Sequence, residues 1–268
     1  MRTERTGRPG AKAERPHERR ERPPTEGIIY GRNAVLEALA ANRRRMRRLF
    51  IASGVKDDQR IRELERRAAA ARVPVERVER ADLDAQTGGA NHQGVLLECG
   101  PYPYVDLETV LTRAGSIVAL DHIQDPQNFG ALLRAAEASG VAGVIMPSDR
   151  AADVTAAVVN ASAGAVEHLQ IARVTNLPRA LESAKASGRW VIGLDQGPDA
   201  VDLLSADLPL PAVLVVGGEG AGIGTLVRKT CELIAALPMI GRIESLNAAT
   251  AGSIALFEIL RRERTMSH

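Results

Sequence analysis

Cysteine, aromatic side chains and long apolar runs are all scarce in this chain of 268 residues. Its two cysteines, Cys99 and Cys231, are too few for a disulfide framework or a structural zinc site, so we predict a reducing, cytoplasmic location. The histidines show no ligand spacing, and we expect no metal. Aromatic residues make up 3% of the chain, which argues against modules that stack bases on aromatic rings. No apolar run approaches the roughly 18 residues of a membrane helix, so we expect no membrane-spanning segment.

The small net charge of +2 conceals a gradient along the chain. Residues 1–26 carry eight basic and five acidic side chains, residues 27–104 carry fourteen and ten, and residues 105–268 carry thirteen and eighteen. The first hundred residues are therefore basic, and we expect a polyanion to bind there. Residues 1–26 also lack aliphatic periodicity, which predicts a disordered basic tail that is either simply solvated or attracts RNA.

Residues 27–100 have the pattern of a small α/β domain. We predict strands at 28–30, 49–52, 73–78 and 95–98, and helices at 33–39 and 57–71, with Asn33 capping the first helix. An arginine-rich run at residues 43–48 is either a solvated face or added charge for a polyanion. Two prolines then mark a linker, which we place at residues 101–107.

Residues 108–268 alternate short apolar strands with helices. The predicted strands are 117–121, 143–146, 169–172, 190–194 and 213–216, and the predicted helices are 126–139, 177–186, 223–230 and 247–262. Short strands that are apolar on every residue are typical of a parallel sheet covered by helices on both faces. The predicted fold class is therefore α/β with a mostly parallel sheet.

Three segments of this second domain carry unusual residues. Residues 217–224 hold five glycines and one carboxylate after a buried strand, which indicates either a ligand-binding loop or a set of tight turns. Neither the spacing of a dinucleotide fingerprint nor that of a P-loop is present there. Residues 237–247 lead into the last helix, where Ser245 or Asn247 is either its cap or part of a site. Residues 125–134 place Asn128 and Arg134 on an otherwise apolar helix.

Taken in order, these segments resemble the three sequence motifs of the SpoU (TrmH-type) family of RNA ribose 2′-O-methyltransferases, in the SPOUT superfamily. Residues 128–137 match the first motif, residues 215–223 the second, and residues 237–241 with 245–247 the third. Residues 27–100 resemble the substrate-binding domain of one subgroup, through residues 29–37 and 91–95. The best-known members of that subgroup methylate a guanosine of 23S rRNA.

The resemblance implies a SPOUT α/β-knot catalytic domain, trefoil-knotted with a mostly parallel sheet, at residues 108–268. It also implies a small α/β RNA-binding domain at residues 27–100, S-adenosylmethionine as the methyl donor, and a homodimer with the active site at the subunit interface. The implied catalytic residues are Asn128, Arg134, Glu219, Ser245 and Asn247. The implied cofactor-binding residues are Gly217, Leu237, Ile240 and Leu246. The residues that we expect on RNA are Arg32, Asn33, His92 and Gln93.

The chemistry of the transfer leaves the general base open. A family proposal makes the arginine of the first motif, here Arg134, the base. A guanidinium is essentially always protonated, so binding a neighbouring phosphate and stabilising developing negative charge suit Arg134 better. Alternative functions are methylation of transfer RNA or of another rRNA nucleotide, and a catalytically silent RNA-binding assembly factor. A dinucleotide oxidoreductase is a more distant alternative, because the fingerprint spacing is absent.

Overall fold

A computed structural model describes residues 27–149, 151–220 and 222–266, so the predicted tail at residues 1–26 lies outside the described residues. The first part of the chain forms a sheet of four strands within these residues, in the order β1-β4-β2-β3. β4 runs antiparallel to β1 and β2, and β2 runs parallel to β3. The elements are β1 (Ile28–Tyr30), α1 (Arg32–Ala41), β2 (Met46–Ala52), α2 (Gln59–Ala70), β3 (Val75–Val78), α3 (Arg80–Thr87) and β4 (Val95–Cys99).

The helices of this sheet begin in two different ways. Asp58 caps α2, because its Oδ1 accepts the backbone N–H groups of Arg60 and Ile61 at 3.0 and 3.1 Å. The prediction that Asn33 caps α1 is wrong. The helix begins after Gly31, which has a φ of 88°, an angle that glycine adopts readily. No side chain caps the helix. Asn33 lies inside α1, and its Oδ1 accepts a hydrogen bond from Arg60 at 2.5 Å.

The second part of the chain forms a parallel sheet, which confirms the predicted fold class. Within the described residues it has seven strands in the order β7-β6-β5-β10-β8-β11-β9, and each pairing is parallel. The strands are β5 (Ile117–Asp121), β6 (Gly143–Pro147), β7 (Ile171–Val174), β8 (Trp190–Leu194), β9 (Val201–Asp202), β10 (Ala212–Gly217) and β11 (Leu233–Ala236). The helices are α4 (Leu107–Leu111), α5 (Pro126–Ala138), α6 (Ala156–Ala161), α7 (Leu177–Ala186), α8 (Thr225–Thr230) and α9 (Ala248–Met266), with a 3₁₀ turn at Ala165–His168.

The parallel sheet is buried on both faces, because successive side chains of its strands enter different cores. Val118 and Leu120 of β5 pack in one apolar cluster, whereas Ile117 and Ala119 pack in another. A strand with this arrangement is apolar throughout, which is the pattern that the sequence shows. The threading of the chain through a trefoil knot stays a prediction. In the part of the chain that the structure describes, no helix combines the length and apolarity needed to cross a bilayer.

An ion pair buried between the two sheets joins them. Arg44 donates from Nη2 and Nε to the two carboxylate oxygens of Glu167, at 2.7 and 2.9 Å, and their side chains are 6% and 1% exposed. Arg43 lies beside it and donates to the backbone carbonyls of Pro103, Glu167 and Leu169. These two members of the run at residues 43–48 therefore dock the domains, which neither of the predicted alternatives included.

Tyr102 completes this contact from the linker. Its ring lies under both guanidinium groups, with the Cζ atoms of Arg43 and Arg44 at 5.6 and 5.1 Å from the ring centroid. Its hydroxyl donates to the carbonyl of Leu169 at 2.6 Å. Burial raises the pKa of Tyr102 to about 12.

Candidate functional site

The carboxyl ends of three parallel strands enclose a cavity of about 440 Å³ in the second sheet. Neighbouring parallel strands end at the same edge, so the loops after β8, β10 and β11 converge there with the segment that enters α9. A volume of a few hundred Å³ is typical of small-molecule sites. The lining residues are Leu194, Asp195, Gln196, Val216, Gly217, Gly218, Glu219, Gly220, Gly222, Ala236, Leu237, Met239, Ser245, Leu246, Asn247, Ala248 and Ala251.

One side chain, Asn247, joins the three sequence motifs at the mouth of this cavity. Its Nδ2 donates to Oδ1 of Asn128 at 2.9 Å and to Oε1 of Glu219 at 2.5 Å. Its Oδ1 accepts the backbone N–H groups of Ala249 and Thr250 at 3.0 and 3.1 Å and so caps α9. Asn247 is therefore both the cap of the last helix and the link between the first and second motifs.

The glycine loop after β10 needs glycine at Gly217. A Cβ built there would lie 2.2 Å from the carbonyl carbon of Gly222, a backbone atom that cannot turn aside. The loop folds back on itself, since the N–H of Gly222 donates to the carbonyl of Gly218 at 3.1 Å. The predicted tight turns are present, and four glycines of the loop line the cavity, whereas ligand binding by the loop stays a prediction.

The first motif lies on α5, which begins as the sequence predicts. Pro126 occupies the first turn, and Asp125 accepts the N–H of Asn128 at 2.8 Å. Asn128 is half-buried at the start of the helix, whereas Arg134 lies about two turns later and is exposed. Among the residues that the structure describes, Arg134 has no hydrogen-bond or ion-pair partner, so its guanidinium is free to bind an anion.

The predicted cofactor residues divide into two groups. Gly217, Leu237 and Leu246 line the cavity, and so do the predicted catalytic residues Glu219, Ser245 and Asn247. The side chain of Ile240 is 97% exposed and does not line it. Contact of Ile240 with a cofactor therefore depends on its backbone.

Two lining residues, Asp195 and Gln196, were missed by sequence reasoning. They follow β8 directly, and Asp195 is held by Arg228 of α8, whose Nη1 donates to its Oδ2 at 2.6 Å. The second end of the guanidinium, Nη2, binds Asp199 outside the cavity at 2.5 Å. Their place in the sequence could have indicated this role, because polar residues at the carboxyl end of a buried parallel strand face the usual ligand site.

The residues predicted to bind RNA lie together in the first domain. Arg32 donates to Asp58 at 2.6 Å, and its Nε donates to the carbonyl of Gln93 at 3.3 Å. Of the four predicted residues, Arg32 and Gln93 line an open groove with further basic side chains. Asn33 does not line it but bonds Arg60, which does. The lining residues of the groove are Arg32, Val55, Lys56, Asp58, Arg60, Arg80 and Gln93.

His92 is buried and does not line this groove. Its ring is 0% exposed, and its Nδ1 accepts the N–H of Gly94 at 3.0 Å. A nitrogen that accepts carries no proton, so the proton is on Nε2, which donates to Asp84 at 2.9 Å. Both nitrogens are used within the chain, and His92 shapes the loop that presents Gln93.

Comparison with known proteins identifies the family. A profile described as the SpoU rRNA Methylase family matches residues 115–257, which contain all three motif segments. The chain belongs to this family. A second profile, described as RNA 2′-O ribose methyltransferase substrate binding, matches residues 28–105, which contain the basic groove. The protein is therefore an RNA methyltransferase with an RNA substrate-binding domain.

Similar proteins and solved structures agree with the family. The chain is 42% identical over 261 residues to a protein of Mycobacterium ulcerans named as an uncharacterized tRNA/rRNA methyltransferase, and the match covers 95% of this chain and 83% of that protein. A crystal structure of an AdoMet-bound rRNA methyltransferase from Sinorhizobium meliloti matches with a TM-score of 0.73 at 27% identity, over 88% of this chain and 87% of that one. The SpoU methyltransferase AviRb of Streptomyces viridochromogenes, in complex with AdoMet, matches with a TM-score of 0.73 at 26% identity, over 89% and 90%.

Proposed function

We propose that this protein transfers the methyl group of S-adenosylmethionine to the ribose 2′-hydroxyl of a guanosine in 23S rRNA. The observation that carries the proposal is the bridge made by Asn247, which bonds Asn128 and Glu219 at the mouth of the cavity. Three segments far apart in the sequence thus meet at one point, beside a space that suits a small ligand.

The cavity fits the methyl donor. Its lining side chains are mostly apolar, and four glycines of the loop after β10 form part of its wall without a side chain. Both solved relatives named above were crystallised with AdoMet. When bound, S-adenosylmethionine supplies a methyl group on a positively charged sulfur. We place it against Gly217, Leu237 and Leu246, with the backbone of Ile240 at the rim.

The motif residues prepare the acceptor. Transfer needs the ribose oxygen in line with the methyl group, and this requires groups with fixed positions. Asn247 supplies them, because one amide holds both Asn128 and Glu219, and its carbonyl is held by the start of α9. Ser245 lines the same wall of the cavity.

Arg134 has a separate role in this proposal. Its unpaired, exposed guanidinium lies on the same helix as Asn128 and is permanently charged. It binds the phosphate next to the target ribose and stabilises the negative charge that develops on the attacking oxygen. An Arg134→Lys enzyme with near-normal turnover would contradict a role for guanidinium geometry.

The domain content favours ribosomal RNA over transfer RNA. The rRNA methyltransferase of Sinorhizobium meliloti aligns with 88% of this chain, which requires both domains. A tRNA-modifying TrmH/SpoU enzyme of Aquifex aeolicus aligns with 60% of it, at a TM-score of 0.52 and 25% identity. The extra domain carries the basic groove, and the profile that matches it describes ribose 2′-O-methyltransferases.

We assign phosphate binding to that groove. Lys56, Arg60 and Arg80 line it without an aromatic platform, so it suits the backbone of a folded RNA better than stacked bases. Arg32 and Gln93 are hydrogen-bonded to each other, and His92 accepts the N–H of Gly94 in the loop that carries Gln93. Replacing Lys56 and Arg80 with alanine should weaken RNA binding and reduce its dependence on salt.

A homodimer completes the proposal. The loop before α9 exposes Ile240 and Ile243, and α9 itself exposes Ile254 and Phe257. A second copy packed on these side chains would bury them. Light scattering should give twice the monomer mass for the wild type and the monomer mass for Phe257→Glu, and a monomeric wild type would contradict the dimer.

The test of the function is transfer of labelled methyl from S-adenosylmethionine to purified RNAs. We expect incorporation into 23S rRNA that lacks its own modification, none into transfer RNA, and loss with Arg134→Ala. Arg113→Ala, a change on the loop after α4, is the control and should keep full activity. Transfer to transfer RNA alone would replace the substrate. Cofactor and RNA binding with no transfer to any RNA would favour the silent assembly factor.

A further inference from the structure

Asp195 is a carboxylate in the cavity that lies outside the three motifs. Among the described residues that line the cavity, Asp195 and Glu219 are the charged ones. Glu219 lies at the motif junction and is bonded to Asn247. Asp195 lies at the end of β8, is half-buried, and contacts none of the three motifs through a hydrogen bond.

The position of the Asp195 carboxylate is fixed on two sides. The backbone N–H of Gln196 donates to Oδ1 at 2.9 Å, and Nη1 of Arg228 donates to Oδ2 at 2.6 Å. Arg228 is itself held by Asp199 through its other nitrogen, at 2.5 Å. The glycine loop is close, since a Cβ on Gly222 would lie 3.2 Å from Oδ1 of Asp195. The carboxylate is therefore set in place before any ligand arrives.

Its remaining bonding capacity matches two neutral donors. A carboxylate has about four lone-pair sites, two on each oxygen. One site on each oxygen of Asp195 is used, so each oxygen can accept one more hydrogen bond. The two hydroxyls of a ribose are on adjacent carbons, so each can donate to one oxygen of the same carboxylate. Acidic side chains at strand ends bind ribose in this way in dinucleotide sites.

The charges of the cavity separate the two ends of the ligand. Arg228 neutralises part of the charge of Asp195, since it is shared with Asp199, and the free lone pairs of Asp195 then suit hydroxyl donors. Glu219 has no ion-pair partner within the described residues, so it is the carboxylate that favours the positively charged sulfur. This arrangement directs the nucleoside toward β8 and the methyl group toward Asn128 and Asn247.

From this geometry we infer that Asp195 binds the ribose hydroxyls of S-adenosylmethionine and that Arg228 is the residue that positions it. The inference rests on the proposed function, since it concerns the same cavity. It adds a specificity-determining residue outside the three motifs, which selects a ribonucleoside over a deoxynucleoside.

The test is equilibrium binding of S-adenosylhomocysteine and its 2′-deoxy and 3′-deoxy analogues, measured by calorimetry without RNA. A hydrogen bond to a charged group corresponds to about 10- to 100-fold in affinity. The wild type should therefore prefer the ribonucleoside by about that factor over each analogue. In Asp195→Asn and Asp195→Ala the preference should fall below about threefold. In Arg228→Lys it should be intermediate, because the ammonium cannot bridge Asp195 and Asp199 in the same way.

Asp199→Asn is the matched control. It removes a carboxylate bound by the same arginine but outside the cavity, so the preference should stay near the wild-type value. Circular dichroism checks the folding of each variant. Two different substitutions of Asp195 are used, so that the result does not depend on one variant folding. An Asp195→Asn protein with the full wild-type preference would overturn the inference while leaving the function intact. A wild type that binds no S-adenosylhomocysteine would overturn the proposed function as well.

Discussion

Replacing Glu167 with glutamine removes the carboxylate that Arg44 binds across the contact between the two sheets. In the folded protein the guanidinium would keep its buried position, 6% exposed, without an opposite charge. Among the described residues, no carboxylate other than Glu167 bonds Arg44. Glu98 pairs with Arg47 at the surface, at 3.2 Å. Arg44 therefore has no replacement partner, and the substitution should destabilise the docked arrangement of the domains.

The expected effect is large because the pair is buried. Removing one member of a buried ion pair costs about 3–5 kcal/mol, out of the roughly 5–15 kcal/mol that stabilise a typical protein. In a chain of this size that corresponds to a fall in melting temperature of roughly 6–20 °C. Changing both residues to methionine should restore most of the loss, since no buried charge is then left unpaired.

Urea unfolding followed by two probes measures this effect. Circular dichroism reports both domains, whereas the fluorescence of Trp190, the single tryptophan, reports the parallel sheet. In Glu167→Gln the dichroism should begin to fall at lower urea than the fluorescence, as the first domain separates. Glu98→Gln, which breaks an exposed pair, should change stability by no more than about 0.5 kcal/mol. Equal midpoints for the two variants would refute the reasoning.

Three further substitutions test the site and the domain contact. Gly217→Ala places a Cβ against the backbone of Gly222 and should reduce the affinity for S-adenosylhomocysteine at least tenfold by calorimetry, and unchanged binding would contradict the close approach. Asn247→Ala removes the bridge and the cap of α9, so it should abolish methyl transfer and lower stability by about 1 kcal/mol in urea, whereas normal turnover would contradict its role. Burial raises the pKa of Tyr102 to about 12, so the stability it contributes is present below pH 10 and is lost as the pH rises toward 12. Tyr102→Phe should show a shallower fall in its urea midpoint between pH 9 and pH 11, and an unchanged slope would rule out this tyrosine.

The elements with strong local signals could be predicted from the sequence. The helix Leu177–Ala186 has the bounds that its periodicity predicts, and α5 begins at Pro126 behind the Asp125 cap. The helices α3, α4 and α6 were missed, because each is short and has no clear apolar period. The two-residue strand β9 lies below the length at which alternation can be seen.

The site could be predicted only in part, and for a physical reason. The order of the motifs brought Asn128, Glu219 and Asn247 together, and the structure bonds them. The sequence could not decide whether Asn247 is a cap or a site residue, because it is both. Its Oδ1 caps α9, whereas its Nδ2 bonds Asn128 and Glu219. The pair of Arg44 and Glu167 spans 123 positions, so no local pattern could indicate it. Asp195 was missed because its role depends on which strands lie side by side.

The central claim is that the methyl group goes to a ribose 2′-hydroxyl of 23S rRNA, and mapping the product tests it most directly. A methylated 2′-hydroxyl cannot attack the neighbouring phosphate, so alkaline cleavage fails at that nucleotide. After reaction with S-adenosylmethionine, we expect a single protected guanosine in 23S rRNA, absent with the Arg134→Ala variant. Labelled RNA that is cleaved by alkali at every position would place the methyl group on a base and would contradict the account.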